Sequence, residues 1–453
     1  MVWNRNFKSL MGGMILFLFM PEVLGQGKAF SMEQMIQDID TLFSTIEKVH
    51  PDMYANYAKQ QLEKEIERTK SELEPSGDVF YLFKQITPLV VKLGDGHTSV
   101  FSPIHGDENL DHILFFPFPV KVATNKIISV KNDYTPAQNA IPVGAQITSI
   151  NNRSAAEMVA EMIHYVSGEK DFYKIARLEW LFTPLLCALY RDTIFEIEYL
   201  FNQKNYATSV KGISYKERYD RPQQNSTDSD NLYSFSILPD KNMGIIEFNS
   251  FSDLDRFKLF LDSIFQVLQK ENIENLIIDI RENGGGNSSL GDELFQYISP
   301  VPFTQWGKGV VKFSDIQKQY HKTIYNYETT NPNGIETFDV DALIELNENH
   351  LRYKGNVYLL ISHSTFSSAA SFSWAFKYFK MGTIIGEETG GMAVCFGDVI
   401  NQKLPNSGIS YGISHKKFYQ YGATDDNVHG TLPDYEIEAE KALDFTIDLI
   451  INH

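Results

Sequence analysis

The chain changes rhythm three times, and each change marks a different kind of structure. From Ser31 to about Lys92, apolar residues recur every three or four positions among Glu and Lys, broken by "HPDMY" and "EPSGD". That spacing predicts two or three packed helices, because residues three and four apart share one helix face. From about Ile113 the pattern shortens to alternating runs, "FFPFPVKV", "KIISVKN" and "AQITSINN", which predict strands separated by turns. Arg153 to Ile163 returns to a helical period. The stretch "KERYDRPQQNSTDSDN", Lys216 to Asn231, has almost no aliphatic residue and predicts a linker.

Beyond the linker the pattern alternates on a larger scale. "MGIIEFNSF" predicts a strand, Leu254 to Lys270 an amphipathic helix, "NLIIDI" a buried strand and Leu290 to Ile298 a helix. "NVYLLIS" then predicts a buried strand, Ser367 to Phe379 a helix and "TIIGEE" a strand. Strands alternating with helices imply parallel βαβ units and an α/β fold class.

With 453 residues, 43% apolar and 22% charged, the chain can bury a large core and has the length of two or three domains. Its first 25 residues have the three parts of an export signal. Arg5 and Lys8 form a basic start, Leu10 to Met20 an apolar run too short to span a bilayer comfortably, and Val23-Leu24-Gly25 a small-residue cleavage site. The expectation is a periplasmic or extracellular protein that starts near Gln26 and is not held in the membrane. A formal charge of −18 repels nucleic acid and anionic lipid. Cys187 and Cys395 would be able to pair in an oxidising compartment, but two buried free thiols are the simpler expectation. No His or Cys spacing fits a zinc site, and no nucleotide-phosphate loop is present, so no cofactor is expected.

Three stretches carry chemistry. In "NVYLLISHSTFSSAASFSWAF" a strand gives way to a helix through a run of hydroxyls. Free N–H groups at a helix start can hold a developing oxyanion, so this is a good place for a nucleophile. Ser and Thr are also ordinary helix caps, and Thr365, Ser367 or Ser368 would serve as one. In "IIDIRENGGGN", Gly284 to Gly286 follow a buried strand and permit close backbone approach, or make only a tight turn. "LGDGHTSV" places His97 in a loop between Gly96 and a strand, as a general base or as a surface histidine; His363, His415 and His429 compete for the role.

Taken in order, these stretches resemble the tail-specific or C-terminal-processing serine peptidases, in the branch similar to tricorn protease. "HPDMY", "DGHT", "LIIDIRENGGG", "STFSSAAS…GTIIGEETGG" and "HGTLPDYEI" carry the resemblance, and "IPVGAQITSINNRSAAEMV" is similar to a PDZ module. The resemblance implies a ClpP/crotonase-like ββα-spiral core and a peptide or protein substrate. It selects Ser367 as nucleophile and places the oxyanion hole at the N–H groups of Ser368 and Gly285, with Gly286 as neighbour. Where many relatives have a lysine base this chain has Met392, so His97 is the expected base. The family's serine before that histidine is replaced by Gly96, and Asp426 is the candidate acid. The implied organisation is a signal peptide at 1–25, a helical region at 26–112, a PDZ-like module at 113–200, a linker with connecting strands at 201–235 and the catalytic core at 236–453. The resemblance also reaches non-catalytic retinoid-binding modules of the same scaffold, so a carrier of peptide or apolar ligand is the alternative. An esterase of the G-x-S-x-G kind is excluded by the absence of that elbow.

Overall fold

The computed structural model describes residues 29–106, 113–131, 141–219, 232–326, 328, 330–340 and 342–452. The expected signal peptide, 1–25, and residues 220–231 of the expected linker lie outside them. Among the described residues no helix is long and apolar enough to cross a membrane.

The N-terminal region opens with β1 (Phe30–Ser31), α1 (Met32–Val49) and α2 (Lys59–Ser71), followed by β2 (Ser76–Gly77), α3 (Val79–Val91) and β3 (Ser99–Val100). Ser31 caps α1 in a reciprocal pair with Gln34, and Asp78 caps α3 by accepting from Tyr81 N. The "HPDMY" stretch ends α1: His50 is its C-cap and Pro51 cannot continue it. The apolar stripe of α1, including Met35, Ile39, Leu42 and Ile46, is fully buried.

The next unit is an antiparallel sheet built from β4 (Val120–Val122), β5 (Ile128–Val130), β6 (Gln146–Ile150), β7 (Arg153–Ser154), β8 (Ile194–Phe201) and β9 (Lys204–Lys211). Between β7 and β8 run α4 (Ala155–Met162) and the 20-residue α5 (Asp171–Tyr190). The β8–β9 hairpin carries this unit past the expected boundary at 200, because both strands pair within its sheet. A short helix, α6 (Tyr215–Tyr219), follows.

The remaining elements form the core. They are β10 (Tyr233–Leu238), β11 (Met243–Phe248), α7 (Leu254–Lys270), β12 (Asn275–Asp279), α8 (Ser289–Ile298), β13 (Trp306–Phe313), α9 (Asp315–Tyr325) and β14 (Gly334–Asp339). After these come β15 (Asn356–Ile361), α10 (Ser368–Tyr378), β16 (Thr383–Gly386), β17 (Val394–Lys403), β18 (Ser410–Gln420), β19 (Tyr435–Glu436) and α11 (Ala439–Ile451). The central sheet runs β10-β11-β12-β15-β16-β19, parallel from β11 onward, as the βαβ alternation predicts. Alternation along its strands sorts the two faces. Leu276, Ile278, Leu359, Ile361 and Ile384 pack with α7, α8 and α10, while Ile277, Leu360 and Ile385 pack with α11. β10 pairs with β11, so the core begins at Tyr233 rather than at 236.

A second antiparallel sheet, β14-β13-β18-β17, accepts β3 from the N-terminal region on β18. The apolar end of that hairpin, Ile400, Leu404, Ile409, Tyr411 and Ile413, is continuous with the core of the N-terminal helices and the small sheet. Residues 29–100 are therefore built into the same body as the C-terminal sheet.

Candidate active site

β15 ends at Ile361 and the chain turns through Ser362–Phe366 into α10. Thr365 holds the turn: its hydroxyl donates to the Ile280 carbonyl at 2.9 Å and accepts from Ser362 N at 3.0 Å. Ser367 occupies the N-cap position of α10, but its side chain makes no capping bond and its backbone sits at φ 52°, ψ −127°. A non-glycine residue held in that region is strained, a feature that collects at functional sites. The hydroxyl points instead to His97, whose Nε2 lies 3.1 Å from Ser367 Oγ.

His97 arrives from 270 residues upstream because its loop is tied down at several points. Residues Ser99 and Val100 pair with Gly412 and Tyr411 of β18. Ser414 N donates to Thr98 Oγ1 at 3.0 Å, and Ser414 Oγ donates to Asp95 Oδ2 at 2.7 Å. Asp95 Oδ1 in turn accepts from His97 N at 2.8 Å. His50 completes the tie. Its Nδ1 accepts from Asp52 N at 3.1 Å, so Nε2 carries the proton and donates to Asp95 Oδ2 at 3.2 Å. Burial pushes the Asp95 carboxyl upward, but the hydrogen bond and field of His50, the field of His97 and the hydroxyl of Thr98 outweigh it and hold the group well below the usual carboxylate range.

The His97 ring stacks on Phe366 at 4.5 Å, and Phe366 stacks on Tyr173 of α5 at 4.4 Å. Burial lowers the imidazole below its ordinary value. Asp95, Asp398 and the Phe396 carbonyl oppose that effect, and Arg177 adds to it. The ring is therefore neutral at pH 7 and able to accept a proton at Nε2. Its Nδ1 is buried and, among the described residues, makes no hydrogen bond of ordinary length.

The glycine turn abuts this pair. Gly285 has φ 96° and Gly286 φ 136°, conformations open to glycine. The N–H of Gly285 donates to Asn283 Oδ1 at 2.8 Å and is occupied, which corrects the expectation that it faces an oxyanion. Gly286 keeps an N–H without a partner among the described residues, while its carbonyl accepts from Ser368 Oγ at 2.6 Å. Ser368 N opens the first turn of α10, where no earlier carbonyl is available to it.

The other expected residues lie apart from the pair. Met392 is buried with Cys395 and Phe418, beside Phe172 and Trp306, so no lysine stands there. Asp426 is exposed on a turn and makes no hydrogen bond to His97. His363, His415 and His429 each turn Nδ1 to a backbone carbonyl, of Glu388, Asp398 and Gly430 respectively. Cys187 and Cys395 are both free and buried. His50, Asn283 and Ser414 were not singled out from the sequence, although "HPDMY" and "RENGGG" contain the first two. Among the described residues no group of three or more His, Cys, Asp or Glu is placed to hold a metal ion.

Residues 242–437 match the family model described as Peptidase family S41. The fold is similar to that of mature CPAF, at 15% identity and a TM-score of 0.67, over 93% of this chain and 98% of that one. The structure of mature CPAF complexed with lactacystin gives the same identity and score, over 93% and 99%. A photosystem II D1 C-terminal processing protease aligns at 14% identity and a TM-score of 0.46, over 92% and 97%.

Proposed function

Through residues 242–437 the chain belongs to peptidase family S41 and is a serine-type peptidase, and we propose that it is an exported endopeptidase using Ser367 as nucleophile and His97 as general base. The observation that carries this reading is the 3.1 Å approach of His97 Nε2 to a serine hydroxyl that caps nothing. A hydroxyl at a helix start that served only as a cap would bond to the second or third N–H of the helix.

In this mechanism Ser367 Oγ attacks the scissile carbonyl as its proton passes to Nε2. The carbonyl oxygen gains the electron pair of the broken π bond and is held by the N–H groups of Ser368 and Gly286. The imidazolium returns the proton to the leaving amine, and water repeats the sequence on the acyl-enzyme. The neutral resting imidazole suits the first step. Export is supported by the basic, apolar and small-residue order of the first 25 residues. Action near the C-termini of peptides or proteins is supported by the family resemblance of the motifs.

Labelling of the purified protein with a fluorophosphonate tests the reading. The wild type is expected to be labelled, and Ser367→Ala is expected to be folded and unlabelled. A folded wild type that resists the probe would instead favour a carrier on the same scaffold.

A further inference from the structure

Helix α9 reads DIQKQYHKTIY, and polar side chains hold its inner face. Ile316 and Tyr320 are only partly buried against the N-terminal core, and Ile324 is half exposed. The fully buried side chains among those described in α9 are Gln317 and His321. A helix usually stays in place through a buried apolar stripe, so the attachment of this one depends on the state of two polar groups.

His321 meets His415 of β18 edge to face, with ring centroids 5.2 Å apart and planes at 81°. Gln317 Nε2 lies 3.1 Å from His321 Nδ1. His415 turns Nδ1 to the Asp398 carbonyl of β17, so in the neutral ring Nδ1 carries the proton and Nε2 is bare. That Nε2 is buried with no hydrogen-bond partner among the described residues. The charged groups facing the two rings are Lys416 on β18 and Asp398 on β17, with Tyr320 beside His321 on α9. Asp398 is already matched by Lys416, so a proton on either ring adds a buried charge with no counter-ion of its own. Burial first, then the charge of Lys416, lowers His321 to about 4 and His415 to about 3, against the charge of Asp398. Both rings are therefore neutral at pH 7.

The pair is wired to the catalytic base from two strands. Ser414, next to His415, holds Asp95 and Thr98 of the histidine loop. On β17, the charge of Asp398 and the carbonyl of Phe396 both reach His97. We propose that the His321–His415 contact is an acid-sensitive latch: when the two rings take up protons, α9 leaves β18 and the seat of the His97 loop loosens with it. The effect on activity rests on the Ser367–His97 reading above, whereas the latch itself does not.

An imidazole released to water takes its proton near pH 6.5, so the closed form keeps its full stability above about that pH and loses it as pH falls. Each ring that gains a proton only on opening raises the ratio of open to closed protein about tenfold per pH unit, and two rings raise it about a hundredfold. Between pH 6.5 and 4.5 the open form should gain about 10⁴-fold.

Amide exchange of α9, read by mass spectrometry on full-length Ser367→Ala between pH 7.5 and 4.5 and normalised to the unfolded chain, tests the latch. Below about pH 6.5 the normalised exchange should rise about a hundredfold per pH unit, about tenfold with His321→Asn or His415→Asn added, and hardly at all with both. Asparagine can keep the Nδ1 contact of each ring without taking a proton. The slope is independent of how stable each variant is, so a weakened fold still gives an answer. Helix α7, packed on the central sheet, should show no such rise. A flat slope for α9, an unchanged slope in the double variant, or an equal rise in α7, which would mean general acid unfolding, overturns the latch. With Ser367 intact, fluorophosphonate labelling should fall as α9 opens, and the double variant should keep its label to lower pH. Labelling that ignores the opening of α9 overturns the link to the base. A folded chain that takes no label at pH 7 overturns the Ser367–His97 reading, and the exchange slopes then decide the latch by themselves.

Discussion

A β-carbon placed on Gly285 would lie 2.7 Å from Ser367 Cβ and 2.8 Å from Ser368 N. The glycine turn and the start of α10 are thus in close contact, and the proposed oxyanion geometry depends on that contact. Gly285→Ala should push the two apart and also strain a residue held at φ 96°. We expect about a 10²- to 10³-fold loss of hydrolysis, the usual cost of a misplaced oxyanion donor. Fluorophosphonate labelling rates check it, and near-wild-type labelling would count against this geometry.

Ser368→Ala should behave differently from Ser367→Ala. The Ser368 hydroxyl donates to the Gly286 carbonyl, a bond whose loss costs about 1 kcal/mol, while its backbone N–H survives the change. Activity within a few-fold of wild type is expected, with a slightly lower melting temperature. If Ser368→Ala abolishes labelling and Ser367→Ala does not, the nucleophile is one residue downstream.

His97→Ala should remove all but a residual activity, whereas His363→Ala should retain most of it. The His363 ring lies on Phe172 at 4.3 Å and its Nδ1 is turned to the Glu388 carbonyl, away from any role as base. Steady-state hydrolysis of a quenched fluorescent peptide by the two variants separates them; the reverse order would reassign the base.

The Asp95 network should be visible in acid stability. Its folded carboxyl lies below the ordinary value of about 3.9, so its contribution is fully present above that pH and is lost as pH falls toward the lower folded value. Asp95→Asn leaves His50 and Ser414 mispaired in a buried site, at a cost of about 3–5 kcal/mol near pH 7. The gap between wild-type and variant melting temperatures should narrow below about pH 4. A gap that is constant from pH 3 to pH 7 would mean that the charge of Asp95 contributes nothing.

Glu169 carries the opposite sign. Burial, then the charge of Asp95, raises its folded carboxyl to about 8, so the folded protein binds more protons than the unfolded chain between about pH 4.3 and 8, and stability falls as pH rises through that window. Glu169→Gln should therefore raise the melting temperature by several degrees at pH 8 and by little at pH 5, roughly 2–4 °C per kcal/mol. Equal shifts at both pH values would show that the carboxyl does not titrate there.

How far the sequence carries can be seen residue by residue. The βαβ alternation and the position of Ser367 are legible because periodicity and the strand-to-helix turn are local properties of 10 to 20 residues. The histidine is legible only through its motif, since its approach to Ser367 is made by pairing of β3 with β18. Gly285 illustrates a finer limit: a run of three glycines announces close approach but not which N–H remains free, which Asn283 decides. Glu169 has no local signature at all. It is one acid before a helix, and its burial against Gly96 follows from how α5 packs on the core. The end of the small sheet is hard to read for a related reason, since β9 is mostly exposed and its polar residues suggest a connection.

His97 and Ser367 lie 270 residues apart in the order of synthesis, and the histidine loop is seated by β18, which follows the serine by more than forty residues. A nascent chain long enough to contain the serine still lacks the strand that holds the histidine. Hydrolytic competence is consequently a late event in the life of each molecule, reached when nearly the whole polypeptide has emerged.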